Sequence, residues 1–371
     1  MKQRHVTLSF SGAILATWLL ESGSLTPRRL GCYGLSPHGH VCFVPATGRL
    51  PLQKHSAIPV RQQRPGGPSP RERSVVSRHV LAAESAEAAG KLAPLIGVVV
   101  SLAAASSAWQ LNFAFTKKPP APGEAPARFS GRAIGIGIAW LALIAYAFTM
   151  APGNSTEAKA ADLVMIGQLI DDPFNVAIPP LFAGIFNSLG IWPAIYAATL
   201  MPGAARQSPV PAWPFLAVSF FAGGFGLAPY LALREYRPRS SRDELDWVTQ
   251  NILENRLVGG LLFLAGTNLA LYAVGNGIVG ALALDRAWTA FLPLFMSSQT
   301  AHVSCVDFLV LWMLYSPCLL EDGRRRNLFI GSPDNWQESE KALFLLCAII
   351  PIFGGAAWLA LRPALPESGT R

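Results

Sequence analysis

Histidine, acid and charge are all scarce in this chain, and each scarcity excludes something. Six of its 371 residues are histidine, and five of those (His5, His38, His40, His55, His79) precede residue 80. Chemistry that needs two imidazoles is therefore excluded from the remainder, where His302 stands alone. Charged residues make up 14%, against about 25% in soluble domains, so a soluble globular fold is excluded. The five cysteines (Cys32, Cys42, Cys305, Cys318, Cys347) show no CxxC spacing. That argues against a disulfide framework or a zinc site, and no metal is expected. A Walker A loop, a GxSxG elbow, an HExxH pair and a Rossmann glycine fingerprint are all missing from the sequence. The net charge of +8 owes much to the N-terminal region, so it is not a nucleic-acid footprint.

What the chain has is long apolar runs. Seven follow the N-terminal region: Leu92–Leu111, Ile134–Ala151, Val176–Met201, Trp213–Leu233, Leu257–Val279, His302–Leu320 and Ala342–Leu361. Each is close to the roughly 20 residues that cross a bilayer. They are apolar all round, which a surface helix of a globular protein is not. Internal prolines (Pro179, Pro180, Pro193, Pro229, Pro351) are compatible with membrane helices, where neighbours re-satisfy freed backbone groups. The spacing predicts an all-α polytopic transmembrane bundle of six or seven spans. A first helix at 92–111 is set apart by a Pro/Lys-rich linker at 112–131, the main membrane domain covers 132–363, and 364–371 is a tail. The loops Arg234–Arg256 and Glu321–Lys341 carry most of the charge. Counting Lys and Arg by side gives ten with these loops and eight opposite, which places the loops on the positive-inside face, the stroma if the plastid address read below holds.

The N-terminus reads as an address. Residues 1–24 have a basic start (Lys2, Arg4), an apolar stretch and small residues at Ser22-Gly23-Ser24, the parts of a signal peptide. Residues 25–85 are rich in Arg, Ser, Pro and Gly, with one acid, Glu72, between Leu25 and Leu81. That composition matches a transit peptide. Signal plus transit peptide predicts a plastid membrane, thylakoid or envelope. The alternative is a plain secretory signal with a disordered linker.

An internal repeat is visible. Phe225-Gly-Leu-Ala-Pro-Tyr-Leu-Ala-Leu-Arg234 and Phe353-Gly-Gly-Ala-Ala-Trp-Leu-Ala-Leu-Arg362 share seven of ten residues at an offset of 128. Leu143–Ala147 echoes Leu269–Ala273 at 126, and Leu189–Trp192 echoes Leu309–Trp312 at 120. Two halves of three spans each would be inverted relative to one another, as in many transporters. Convergence of helix ends on a common aromatic-Leu-Ala-Leu-Arg ending is the competing explanation.

Ionisable groups inside a membrane are functional candidates by default. His302 and Asp307 stand at the start of the sixth run. Five residues turn a helix through about 500°, so the two do not share a face and a direct dyad is not expected. His302 suits a proton relay, one axial ligand to a chlorophyll magnesium, or a contact to an oxygenated carotenoid. Packing at the interface, with His302 facing water, is the plainer reading. Asp172 in Asp171-Asp172-Pro173 suits a helix N-cap. Asn187, Asn268 and Asn276 lie deep in apolar runs, where interhelical hydrogen bonds account for them. The pairs Gly223-Gly224, Gly259-Gly260 and Gly354-Gly355 suit close helix contacts.

The segments Ile185–Tyr196, Pro211–Phe215 and Ala228–Glu235, with His302-x4-Asp307 and Leu361-Arg-Pro363, resemble a family of uncharacterised multi-pass membrane proteins of cyanobacteria and plastids over roughly 134–363. The last two helices, through His302 and Asp307, are also similar to the membrane proteins required for neoxanthin formation in plants. These resemblances imply a plastid membrane and, from the second, pigment chemistry. Three functions follow as expectations. The first is assembly or organisation of a photosynthetic membrane complex, with its subunits and the lipid bilayer as partners. The second is a small-solute or ion carrier built from inverted halves, with Asn187, Asn268, Asn276 and Asp307 on one polar midplane. The third is a carotenoid-modifying or pigment-binding protein.

Overall fold

A computed structural model describes residues 93–115, 131–204, 207, 210–274 and 284–367. The stretches read above as a signal peptide (1–24) and a transit peptide (25–85), Asn276 and residues 368–371 lie outside them. The described residues are helical and contain no strand, forming a polytopic helical bundle. In chain order the helices are α1 (Ala93–Phe115), α2 (Gly131–Ala145, continued as a π turn to Met150), α3 (Thr156–Asp171), α4 (Pro180–Leu200) and α5 (Ala212–Leu233). Then come α6 (Arg256–Ala273), α7 (Leu284–Ser297), α8 (Gln299–Arg325), α9 (Glu338–Ile349) and α10 (Phe353–Leu361). By length and composition, α1, α2, α4, α5, α6 and α8 are each able to cross a membrane. This is a multi-pass membrane protein.

Length alone misleads for α5. At Gly223 the backbone takes φ 52°, ψ −129°, and the chain reverses. The rings of Phe215 and Tyr230 stack with centroids 5.9 Å apart, whereas a straight helix would separate them by about 22 Å. A Cβ on Gly226 would sit 2.8 Å from Val218 Cγ1. The fourth apolar run is thus a re-entrant hairpin, its two limbs each about 15 Å long, half a bilayer core. The seventh run does the same. Ile350-Pro351-Ile352 separates α9 from α10, and a Cβ on Gly354 would fall 2.8 Å from Cys347 Cα.

Both hairpins enter from the same face. Arg234, closing the first, lies 2.8 Å from Glu321, and Arg362, closing the second, lies 3.0 Å from Asp322. We call this the arginine face, and the opposite one, where α8 begins, the histidine face. Helix α2 runs from Arg132, beside Arg234 and Glu321, to Tyr146 at His302. Helix α4 returns, from Phe182 against Phe291 to Thr199, whose carbonyl accepts from Arg325. Helix α6 runs from Glu254–Arg256 to Tyr272, whose hydroxyl donates to Asn175 O, and α8 returns.

Each half is therefore a span away from the arginine face, a helix at the histidine face (α3 or α7), a span back, and a hairpin. That is an even number of crossings. The two halves marked by the sequence repeat are thus parallel rather than inverted, because each third member turns back. The offset grows from 120 at Trp192/Trp312 to 128 at Arg234/Arg362. The eight extra residues fall between α8's repeat-matched part and the second hairpin, the interval that also holds Glu321–Arg326.

Three other expectations change. Helix α8 runs on to Arg325, so Glu321, Asp322 and Arg325 are helical and buried rather than part of a charged loop. The tail is not free, since Arg242 N donates to Pro366 O and Leu365 is buried. The side count also shifts once the hairpins do not cross. Among the described residues, Arg132, Arg234, Arg237, Arg239, Arg242, Arg256, Arg324, Arg325, Arg326, Lys341 and Arg362 attach to the arginine face, against Lys159 and Arg286 opposite. The positive-inside rule then points the arginine face to the side from which the chain was inserted.

Candidate functional site

Helix α8 is the axis on which the polar groups hang, and it lies against both hairpins. Its N-terminus is capped twice: Ser298 Oγ accepts from Ala301 N, and Asp162 of α3 accepts from Thr300 N at 2.8 Å. A carboxylate there also suits the positive end of the helix dipole.

One turn on, His302 is fully buried, not facing water. Its Nδ1 lies 3.0 Å from Phe295 O. A carbonyl only accepts, so Nδ1 carries the proton, and Nε2 accepts from Tyr146 Oη. Phe295 stacks on the ring at 4.1 Å. Both imidazole nitrogens are engaged, and His302 locks α2, α7 and α8 together.

Asp307 points elsewhere. It is buried, and both carboxylate oxygens accept from Gly224 N, at 3.0 and 3.1 Å. Gly224 opens the second limb of the first hairpin, so the carboxylate sits at the positive end of a half-helix inside the membrane. No cation and no other donor meets it among the described residues. A Cβ on Gly224 would lie 2.5 Å from Asp307 Oδ1, and one on Gly223 would collide with Oδ2. This glycine pair wraps a carboxylate instead of easing a helix contact. Gly259 and Gly355 do ease contacts, with α10 and with Ile195.

The remaining expected residues disperse. Asp172 caps no helix start. It is the C-cap of α3, and its Oδ1 accepts from Phe174 N in a tight turn, because Pro179-Pro180 delays the next helix to Pro180. Asn187 donates to Pro173 O and Ala183 O. Asn268 is exposed on the outer side of α6. They do not join Asp307 in one polar cavity.

Two features escaped the sequence reading. An indole meets a carbonyl without a helical partner in each hairpin: Trp140 Nε1 donates at 3.0 Å to Phe225 O, which lacks one because Pro229, four residues on, has no N–H, and Trp312 Nε1 donates at 3.1 Å to Ala348 O in the last turn of α9. The second feature is a buried ionic cluster at the arginine face. Glu321 accepts from Arg234, Arg325 and the backbone of Arg237. Asp322 accepts from Arg326, from Arg362 and from Trp358 Nε1 at 2.8 Å. Glu254 bridges Arg326 and Arg362. Burial alone would push the Arg234 and Arg326 guanidiniums down. The neighbouring carboxylates, Glu321 for Arg234 and Asp322 with Glu254 for Arg326, outweigh it and hold both above the ordinary value. The spacing Glu321/Asp322 to Arg325/Arg326 is the i, i+3/i+4 pattern of helical ion pairs, and that was the available signal.

The architecture defines a class: a polytopic helical membrane protein with a parallel internal repeat and two re-entrant hairpins packed on one axial helix. Comparisons with family models, curated proteins and solved structures give no match.

Proposed function

We propose that the protein is an ion or small-solute carrier whose moving part is the first hairpin, held by the charge on Asp307. One observation carries this reading: a buried carboxylate that meets no cation among the described residues, bound to a backbone N–H where a membrane helix is broken. Irregular backbone at membrane depth is tolerated only inside protein or along a water-filled path, and broken half-helices form the substrate and ion sites of many transporters. Protonation of Asp307, or a solute anion competing for the half-helix end, removes the attraction that holds the tip. The polar midplane first expected for a carrier is not part of this proposal, since Asn187 and Asn268 point elsewhere.

The test has two readouts. Purified protein is reconstituted in vesicles, and transient currents are recorded with chloride, nitrate, phosphate, sodium and potassium under a pH gradient. At least one ion gives a current that Asp307→Asn abolishes. Independently, Ala222→Cys at the hairpin tip is labelled by an impermeant maleimide from the arginine face. Labelling rises on acidification, and in an Asp307→Asn background it is high at every pH. Labelling indifferent to both pH and Asp307 sinks the reading.

A second reading, assembly or organisation of a photosynthetic membrane complex, draws support from the apolar outer faces of α2 and α6. It predicts co-migration with a larger complex and indifference to Asp307→Asn. The plastid address belongs to the proposal as well, supported by the acid-poor, Arg-rich segment after residue 24. Import of a fluorescent fusion of residues 1–85 tests it. Pigment ligation at His302 has less support, because a pigment would have to displace Tyr146.

A further inference from the structure

Helix α6 turns an unusual face outward. Leu257, Leu261, Leu264 and Leu271 are 71%, 66%, 63% and 45% exposed, and Asn268, also exposed, completes the series. The spacings are four, three, four and three residues, a heptad seam. Gly260, beside the seam, has nothing within 4 Å of its Cβ position, so a neighbour can approach closely. Asn268 has no hydrogen-bond partner among the described residues. It lies about 18 Å along the helix from Arg256, well inside the hydrocarbon. A side-chain amide facing lipid has neither water nor protein to satisfy it.

Helix α2 supplies a comparison. Its outer face carries Ile134, Ile138, Leu141, Ala145 and Phe148 at the same spacings of four, three, four and three residues. These are also turned outward, but alanine stands where α6 has Asn268. An outward-turned helix face with no polar side chain in the series thus exists in this protein.

We propose that α6 is the seam of a homodimer, occupied by α6 of a second copy of this chain. Two copies inserted in the same orientation must align their α6 helices in parallel. In a parallel two-stranded seam each position faces its own counterpart, so Asn268 meets Asn268. An amide both donates and accepts, so it is self-complementary there, as a carboxylate or an ammonium is not. A single asparagine in an apolar seam fixes register and oligomeric state, and small residues with polar groups drive helix association in lipid. The interface is isologous and closes at two copies.

The test uses the full chain in vesicles over a range of protein-to-lipid ratios. Subunits are counted by single-molecule photobleaching, and contacts are read by oxidative cross-linking of Leu264→Cys, with Leu141→Cys on the outer face of α2 as the control. The expected result is dimers that cross-link through residue 264 and not 141. Asn268→Leu weakens them about tenfold, equivalent to about 1.4 kcal/mol, while Asn268→Gln retains most of the association. Leucine at a lipid-facing position leaves the fold intact, so weakening is not a folding defect. Monomers at every ratio, dimers indifferent to Asn268→Leu, or cross-linking through residue 141 would each overturn the proposal. It does not rest on carrier activity, which Asp307→Asn tests separately.

Discussion

Asp322→Asn is the most demanding test of how the arginine face is held. The carboxylate accepts from Trp358 Nε1 at 2.8 Å, Arg362 at 3.0 Å and Arg326 at 3.1 Å. Four guanidiniums (Arg234, Arg325, Arg326, Arg362) share three carboxylates (Glu254, Glu321, Asp322), and all but Glu254 are nearly or fully inaccessible. Asparagine keeps the shape but leaves four buried cations against two carboxylates. Removing one partner of a buried pair costs about 3–5 kcal/mol, chiefly because a charge is left uncompensated. Glu338→Gln is the internal contrast. Its pair with Lys341 is 88% and 34% exposed, and such pairs are worth about 0–1 kcal/mol. Equilibrium unfolding in mixed micelles, followed by circular dichroism, measures both. The double variant Asp322→Asn/Arg362→Met removes a cation together with the anion, so its loss should fall short of the summed single losses by about 1 kcal/mol or more. Asp322→Asn within about 1 kcal/mol of the parent, or strict additivity in the cycle, would refute the reasoning.

Further outcomes are expected by the same assays. Gly223→Ala destabilises by more than about 2 kcal/mol, since it combines a positive φ with a collision at Asp307. Gly167→Ala on α3 meets nothing within 4 Å and is neutral or stabilising by up to about 1 kcal/mol. Tyr146→Phe leaves His302 Nε2 buried without a donor and costs about 1–3 kcal/mol, so its unfolding midpoint should move while α5 is unaffected. Asp246 is slightly raised by burial, but the Thr249 hydroxyl and N–H outweigh that and lower it below the ordinary carboxylate value. Its stabilisation of the turn at 249–253 is present above the unfolded value near pH ~3.9 and is lost as pH falls through the folded one. Hydrogen exchange of those amides should quicken over that window, and Asp246→Asn should abolish the pH dependence.

The sequence made the bundle legible because hydrocarbon demands apolar runs wherever a helix crosses. It could not separate a crossing from a half-crossing that returns, since both bury the same residue types. In Ala212–Leu233 the one local hint was Gly223-Gly224 at the centre of the run, and in Ala342–Leu361 it was Pro351. That ambiguity turned a parallel repeat into an apparent inversion, because the count of crossings per half changed from two to three. Asp307 was legible as a charge in an apolar run. Its partner, a backbone N–H created by the hairpin turn, was not, because no residue type announces it. The ionic cluster was hidden for another reason: arginines next to a span end look like a solvated loop until the helix is known to continue through them.

The repeat also marks where the two halves have stopped being equivalent. Gly223 and Gly224 correspond to Pro351 and Ile352 at an offset of 128, and Asp307 corresponds to Asn187 at 120. In a symmetric molecule, Asp307 on α8 would meet the first hairpin while Asn187 on α4 met the second. The first contact is present, through Gly224 N. Asn187 donates instead to Pro173 O and Ala183 O, and the second tip is apolar, with Ile352 at φ 64° packed on Gly266. Support of a hairpin tip therefore does not require a carboxylate, since the second tip is held by packing, backbone hydrogen bonds such as Gly354 N to Ile350 O, and the Trp312 indole. The buried charge at the first tip adds a desolvation cost that support does not demand. Retaining Asp307 there is better explained by what its charge does than by what it holds up.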